Sequence, residues 1–83
     1  MRHTLKTLPR YFWRIADNKK TFEVRKNDRD FQVGDQVTLE YFNPDSPHET
    51  NNPIDIEITY ILHGGQFGID HDYCVFGFKI LYQ

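Results

Sequence analysis

The sequence predicts an α+β fold that is mainly β. The expected form is a small pseudo-barrel of about five mostly antiparallel strands, with one helix after the first strand plugging an opening. Three observations carry this expectation. Ile54-Asp-Ile-Glu-Ile-Thr-Tyr-Ile-Leu62 alternates apolar and polar residues with the period of two that a half-buried strand shows. Phe22 and Val24 alternate with Thr21, Glu23 and Arg25 in the same way. Helical spacing is confined to the stretch from Leu8 to Asp17. The 83 residues leave room for a single domain, 1–83. A chain of this size buries only about 60% of its unfolded surface. Its seven Phe, five Tyr and one Trp supply large buried areas from few side chains.

Taken in order, His3–Leu8 reads as a short first strand with His3 and Leu5 turned inward. Thr7 is placed to cap the following helix, and Pro9 suits its first turn, where a missing N–H loses nothing. Leu8, Phe12, Ile15 and Ala16 then share one helical face, leaving Arg10, Arg14 and Asp17 to water. Asn18, which tolerates the left-handed conformation, ends the helix after about ten residues. The next strand hands Phe22 and Val24 to the core and turns Glu23 and Arg25 into a cleft between helix and barrel.

Residues 26–30 are too polar to pack and form a loop. Phe31, Val33 and a Gly34-Asp35 turn lead into a third strand, Gln36–Phe42, with Val37, Leu39 and Tyr41 on one face. Residues 43–53 hold three Pro and three Asn besides Ser46 and Asp45, a loop expected to be the most mobile part. The following strand carries Ile54, Ile56, Ile58, Tyr60 and Leu62 on one face. His63–Gly68 is a glycine loop, and the nearly continuous apolar run Tyr73–Tyr82 predicts a last strand buried on both faces. No internal repeat is present.

Composition excludes several classes of function. Cys74 has no second cysteine to pair with and reads as inert packing, and the four scattered His have no zinc-ligand spacing, so neither a metal nor another cofactor is expected. No apolar stretch of about 18 residues and no signal-peptide pattern occurs, so the expected location is cytoplasmic, without a membrane partner. The net charge of −2 hides a division. Residues 1–31 carry nine basic side chains against four acidic ones, and residues 32–83 carry one against eight. Either the domain is electrically bipolar and its basic part attracts an anionic ligand, or acidic and basic strands pair across the sheet.

The densest chemistry runs from Lys19 to Arg29. Lys20, Glu23 and Arg25 together carry a formal +1 and a fork-shaped donor suited to a phosphate or carboxyl group. Lys19, Lys26, Asn27 and Arg29 flank them as candidate ligand contacts. Tyr11 and Trp13 fall outside the helix's apolar stripe, where a ring is free to stack on a base, although Trp13 equally suits core filling. Phe67 is an anchor or lid of the glycine loop, whose Gly64, Gly65 and Gly68 form no phosphate-loop motif; His63 reads as an ordinary loop residue. The alternative to a functional cleft is a structural Glu–Arg pair on a barrel wall.

Lys20-x-x-Glu23-x-Arg25, directly after a helix, resembles the GxKxxExR signature of the ASCH domain family, a branch of the PUA-like barrels; Asn18 stands at the signature's glycine. Arg25-Lys-Asn-Asp-Arg-Asp-Phe-Gln-Val-Gly-Asp35 and Thr59-Tyr-Ile-Leu-His-Gly-Gly-Gln-Phe-Gly68 are similar to DUF3850, a family of small bacterial and phage proteins within that superfamily. The resemblance covers nearly the whole chain. It implies a PUA-like barrel that holds RNA or a nucleotide-like ligand in a cleft beside the signature. One ASCH-like branch hydrolyses acetylated cytidine with a lysine, a threonine and a glutamate. Lys20 matches that lysine and Glu23 stands at the threonine, so these two are the catalytic candidates if the chain is a nucleoside amidohydrolase. A protein-interaction or regulatory domain is the third class of function that the sequence leaves open.

Overall fold

Six elements follow one another in the order β-α-β-β-β-β: β1 (Arg2–Thr7), α1 (Pro9–Ala16), β2 (Phe22–Lys26), β3 (Gln36–Tyr41), β4 (Ile54–His63) and β5 (Tyr73–Tyr82). A computed structural model describes residues 1–82. The strands form one curled, half-barrel sheet in the order β1-β3-β4-β5-β2. β1 and β3 run parallel, and the other three pairings are antiparallel. A parallel neighbour needs a crossover, and α1 with β2 supplies it.

β1 alternates as a half-buried strand must, with His3, Leu5 and Thr7 inward. Val37 and Leu39 on β3, Ile54, Ile56 and Ile58 on β4, and Cys74, Phe76 and Phe78 on β5 complete the inner face. Phe12 and Ile15 close the core from α1, and Phe31 from the loop before β3. Burial pushes the Cys74 thiol above its ordinary pKa, in keeping with its role in packing. α1 stops as expected: Asn18 adopts φ 60° and its N–H donates to Ile15 O at 2.8 Å. Its other end differs from expectation. Leu8 occupies the N-cap position with no side-chain hydrogen bond, because Thr7 is the last inward residue of β1 and its hydroxyl turns toward Arg25 instead.

Three expectations about facing are corrected. Phe22 and Val24 are 47% and 54% exposed, whereas Glu23 is 4% exposed. The register is the reason: Phe22 and Val24 sit opposite Gly77 and Val75 on the outer face, and Glu23 and Arg25 opposite Phe76 and Cys74 on the inner one. Tyr60 is 67% exposed, because the pairing of β4 with β5 shifts between Ile58 and Tyr60. Thr59 is the extra residue of that bulge, so Ile61 packs on the core in place of Tyr60 and Leu62. β5 is buried on its inner face alone. α1 packs beside β3, with Phe12 edge-on to Tyr41 at 5.4 Å, and among the described residues no second layer covers the outside of β4, β5 and β2.

Two local devices hold the loops. Asp35 is buried and pairs with His3 Nε2 at 2.8 Å, accepts the Gln32 N–H at 3.0 Å, and meets the Met1 ammonium at 3.1 Å. Burial alone would raise its carboxyl, but those bonds and the ammonium's charge outweigh it and hold the group below its ordinary 3.8. In the glycine loop, a Cβ on Gly64 would stand 1.9 Å from Asp70 O and 2.4 Å from Tyr73 O, so only glycine fits. The hydroxyl of Tyr41 donates to Glu49, tying residues 43–53 to β3.

Two predictions follow from these devices. Gly64→Ala is expected to cost at least about 3 kcal/mol in urea unfolding, since backbone oxygens cannot yield. Gly68→Ala meets nothing within 4 Å and adds only left-handed strain, about 1–2 kcal/mol. A depressed carboxylate adds stability that is complete above its unfolded value near 4 and is lost as pH falls through the folded value. The urea midpoint should therefore fall steeply below about pH 4, and Asp35→Asn should lower it at pH 6 while flattening that acid limb.

Candidate functional site

Glu23 is the centre of the site. The inward register of β2 drives this carboxylate under the sheet edge, where an unpaired charge would be costly. Two cations meet it. Lys20 Nζ, at the exit of α1, donates to Oε2. Arg25, two residues along the same face of β2, donates to Oε1 from Nε at 3.1 Å and from Nη2 at 2.8 Å. Asn18 is what allows this: its left-handed turn ends α1 two residues before Lys20 and lets the chain reverse into β2.

The cations are held from other directions as well. Lys20 Nζ donates to Phe22 O at 2.6 Å and lies 5.2 Å and 5.0 Å from the Tyr11 and Phe22 ring centres. Arg25 Nη2 also reaches Lys6 O at 2.9 Å and the Thr7 hydroxyl at 3.4 Å. Arg25 thereby bridges β2 to β1, the two edges of the half-barrel. Its Nη1 makes no hydrogen bond among the described residues.

Beside this triad opens a cleft of about 470 Å³, lined by Lys6, Leu8, Tyr11, Lys20, Phe22, Glu23, Val24 and Arg25. Three cations against one carboxylate give its lining a formal charge of +2, and Leu8, Tyr11, Phe22 and Val24 give it apolar walls. Such a lining suits a planar ring carrying an anionic group. Lys6 and Leu8 were not among the residues singled out from the sequence. The alternation of β1 was the available signal, since a strand with Leu5 inward must show Lys6 outward.

The other sequence candidates divide. Lys19 precedes β2 and Lys26 is its last residue, both exposed and with no carboxylate partner among the described residues. Arg29 donates to Thr4 O at 2.7 Å, a second side-chain tie to the β1 edge. Asn27 closes its own loop, accepting the Phe31 N–H at 3.1 Å and donating its N–H to Asp72 O at 2.8 Å. Trp13 lies outside the cleft, tilted against Tyr41 at 5.8 Å and edge-on to Phe12 at 5.2 Å. Phe67 is 83% exposed in the glycine loop, and neither it nor any other residue of that loop lines the cleft. His71 with Asp70 and Asp72 forms an exposed cluster outside the cleft.

Removing the shared carboxylate leaves two half-buried cations without a partner. Glu23→Ala is expected to cost about 3 kcal/mol in urea unfolding. Lys20→Ala, which leaves Glu23 paired with Arg25, should cost about 1–2 kcal/mol. A double-mutant cycle between them measures the coupling.

Comparison with known proteins gives two findings. No functionally curated protein matches the chain. The profile of the family described as "Domain of unknown function (DUF3850)" matches residues 2–78, and the chain therefore belongs to the DUF3850 family.

Proposed function

We infer that this chain is an ASCH-type, PUA-like module that binds single-stranded RNA or a nucleotide-like ligand in the cleft beside Lys20, Glu23 and Arg25. The observation that carries the reading is the lining itself: Lys20 and Arg25 border a space walled by Tyr11 and Phe22, with Lys6 at its rim, its ammonium 4.8 Å from the Phe42 ring centre. Phosphate needs cations and open N–H donors, and a base needs an aromatic or apolar face; the cleft supplies both within about 470 Å³. Glu23 orients the two cations and keeps them from collapsing onto another anion. Lys19 and Lys26 then extend the positive track at either end of β2.

The pairing across the sheet does not cancel this charge. It absorbs Arg2, which meets Asp55 at 3.2 Å, and Lys79, which meets Glu57 at 3.8 Å. Hydrolysis of an acylated nucleoside has weaker support. Both oxygens of Glu23 are occupied by cations, and no serine, threonine or cysteine lines the cleft among the described residues.

A fluorescent ten-nucleotide RNA titrated at several salt concentrations tests the reading. Three or four phosphate contacts give a log–log slope of about −2 to −3, at about 0.7 per contact. Lys26→Ala should flatten the slope by about 0.7 and weaken all sequences alike. Arg25→Ala should cost more and change the preference among bases. Absence of binding at low salt would retire the reading. Release of acetate from acetylated cytidine, lost in Lys20→Ala, would replace it with the amidohydrolase.

A further inference from the structure

Gly77 stands in the middle of β5, opposite the Thr59 bulge of β4, yet the space there does not require a glycine. Its φ lies outside the left-handed region, and a Cβ there would meet only Thr59 Oγ1 at 3.8 Å and Thr21 O at 3.9 Å, both ordinary contacts. Glycine inside a strand weakens it and marks either a bulge or a site where a ligand or another chain approaches closely; here the extra residue of the bulge belongs to β4, and a side chain at position 77 would meet only ordinary contacts. Phe76 and Phe78 point into the core, so the bare position of Gly77 opens on the outer face.

That position has aromatic walls. The register sets Phe22 of β2 opposite Gly77 on one side and Tyr60 of β4 opposite it on the other. The β4 bulge described above is what turns Tyr60 outward to complete the pair. Neither ring comes within 4 Å of the point where a Cβ would stand, so neither covers the glycine. Two strand spacings separate the backbones of Phe22 and Tyr60 by about 9.6 Å, a span that their rings narrow. A flat ring in contact on both faces needs about 7–8 Å. Beneath this row, Val24, Val75 and Leu62 continue an apolar surface.

Charge selects among possible occupants. Lys19 and Lys26 lie at the two ends of β2 with no carboxylate partner, and Lys20 Nζ sits 5.0 Å from the Phe22 ring. Asp70 and Asp72 precede Tyr73, which pairs with Lys26, so the carboxylates mark the Lys26 end of β2 as the limit of the cationic track. An exposed aromatic pair beside a cationic track is the arrangement that holds unpaired bases. Phe22 and Val24 also line the cleft, which makes the two surfaces continuous.

We propose that Phe22, Gly77 and Tyr60 form a stacking slot for one unpaired base of single-stranded RNA, whose phosphates run along β2 past Lys19 and Lys26. The slot rests on the RNA reading of the cleft and adds to it a second contact, on the outer face of the sheet.

The test uses the full chain and a ten-nucleotide oligouridylate carrying one internal 2-aminopurine. Gly77→Val fills the floor with a good strand former, so its Tm should hold or rise while affinity falls about tenfold and the salt slope stays unchanged. Gly77→Ala, the milder replacement, should weaken binding in the same direction, and Tyr60→Ser should also lose about tenfold. Wild type should quench the 2-aminopurine emission, and Gly77→Val should not. Equal affinity and equal quenching in wild type and the Gly77 and Tyr60 variants, with Lys26→Ala still weakening binding, would overturn the slot and leave the cleft reading standing. No binding by wild type at low salt would overturn both. A concentration-dependent dimer in sedimentation, abolished by Gly77→Val, would assign the slot to a second copy and overturn base stacking.

Discussion

The buried carboxylate of Glu23, clasped between Lys20 and Arg25, is the constraint on which the rest of the structure depends. A charge placed under a sheet edge is tolerated only when paired and hydrogen-bonded, and both oxygens here are. The pairing fixes which face of β2 turns inward, against the apolar logic of Phe22 and Val24. It also draws the end of α1 onto β2 through Lys20, and so sets one wall of the cleft.

Arg25 has a second consequence. The sheet is open between β1 and β2, and an open edge presents unpaired backbone groups. Here arginine side chains take the place of a backbone ladder: Arg25 donates to Lys6 O and Arg29 to Thr4 O, on alternate residues of β1. The half-barrel is thus tied across its seam by two guanidinium groups. A side-chain tie spans more distance than a ladder would, and the space it leaves is the cleft. The residues that close the fold and those that line the site are therefore partly the same, which makes stability and binding separable only by comparing variants such as those at Arg25 and Lys26.

The outer face follows from the same economy of layers. A single eight-residue helix covers only the β3 side, so β4, β5 and β2 show one face to solvent. That face carries Phe22, Val24 and Tyr60 rather than the charged residues usual on an exposed sheet. Lys79 and Glu57 are an exception, a cross-strand pair lying beyond the bulge. The apolar surface and the cationic track meet at β2, the shortest strand of the five.

The sequence by itself determined the element order, the helix stop at Asn18, the inward faces of β1 and β3, and the grouping of Lys20, Glu23 and Arg25. Those features rest on local periodicity and on conformational tolerance, which neighbouring residues are enough to specify. Three things were decided only by the tertiary structure. The face of β2 depended on its register with β5, because alternation separates two sets of side chains without saying which is inside. The exposure of Tyr60 depended on the Thr59 bulge, which shifts one strand against its partner and leaves no mark on the hydrophobic period. The roles of Thr7 and Arg29 depended on partners 18 and 25 residues away, reached only once β1 and β2 face each other. Burial on both faces of β5 failed for a related reason: an apolar run shows that a strand accepts cover, while the number of layers decides whether it receives any.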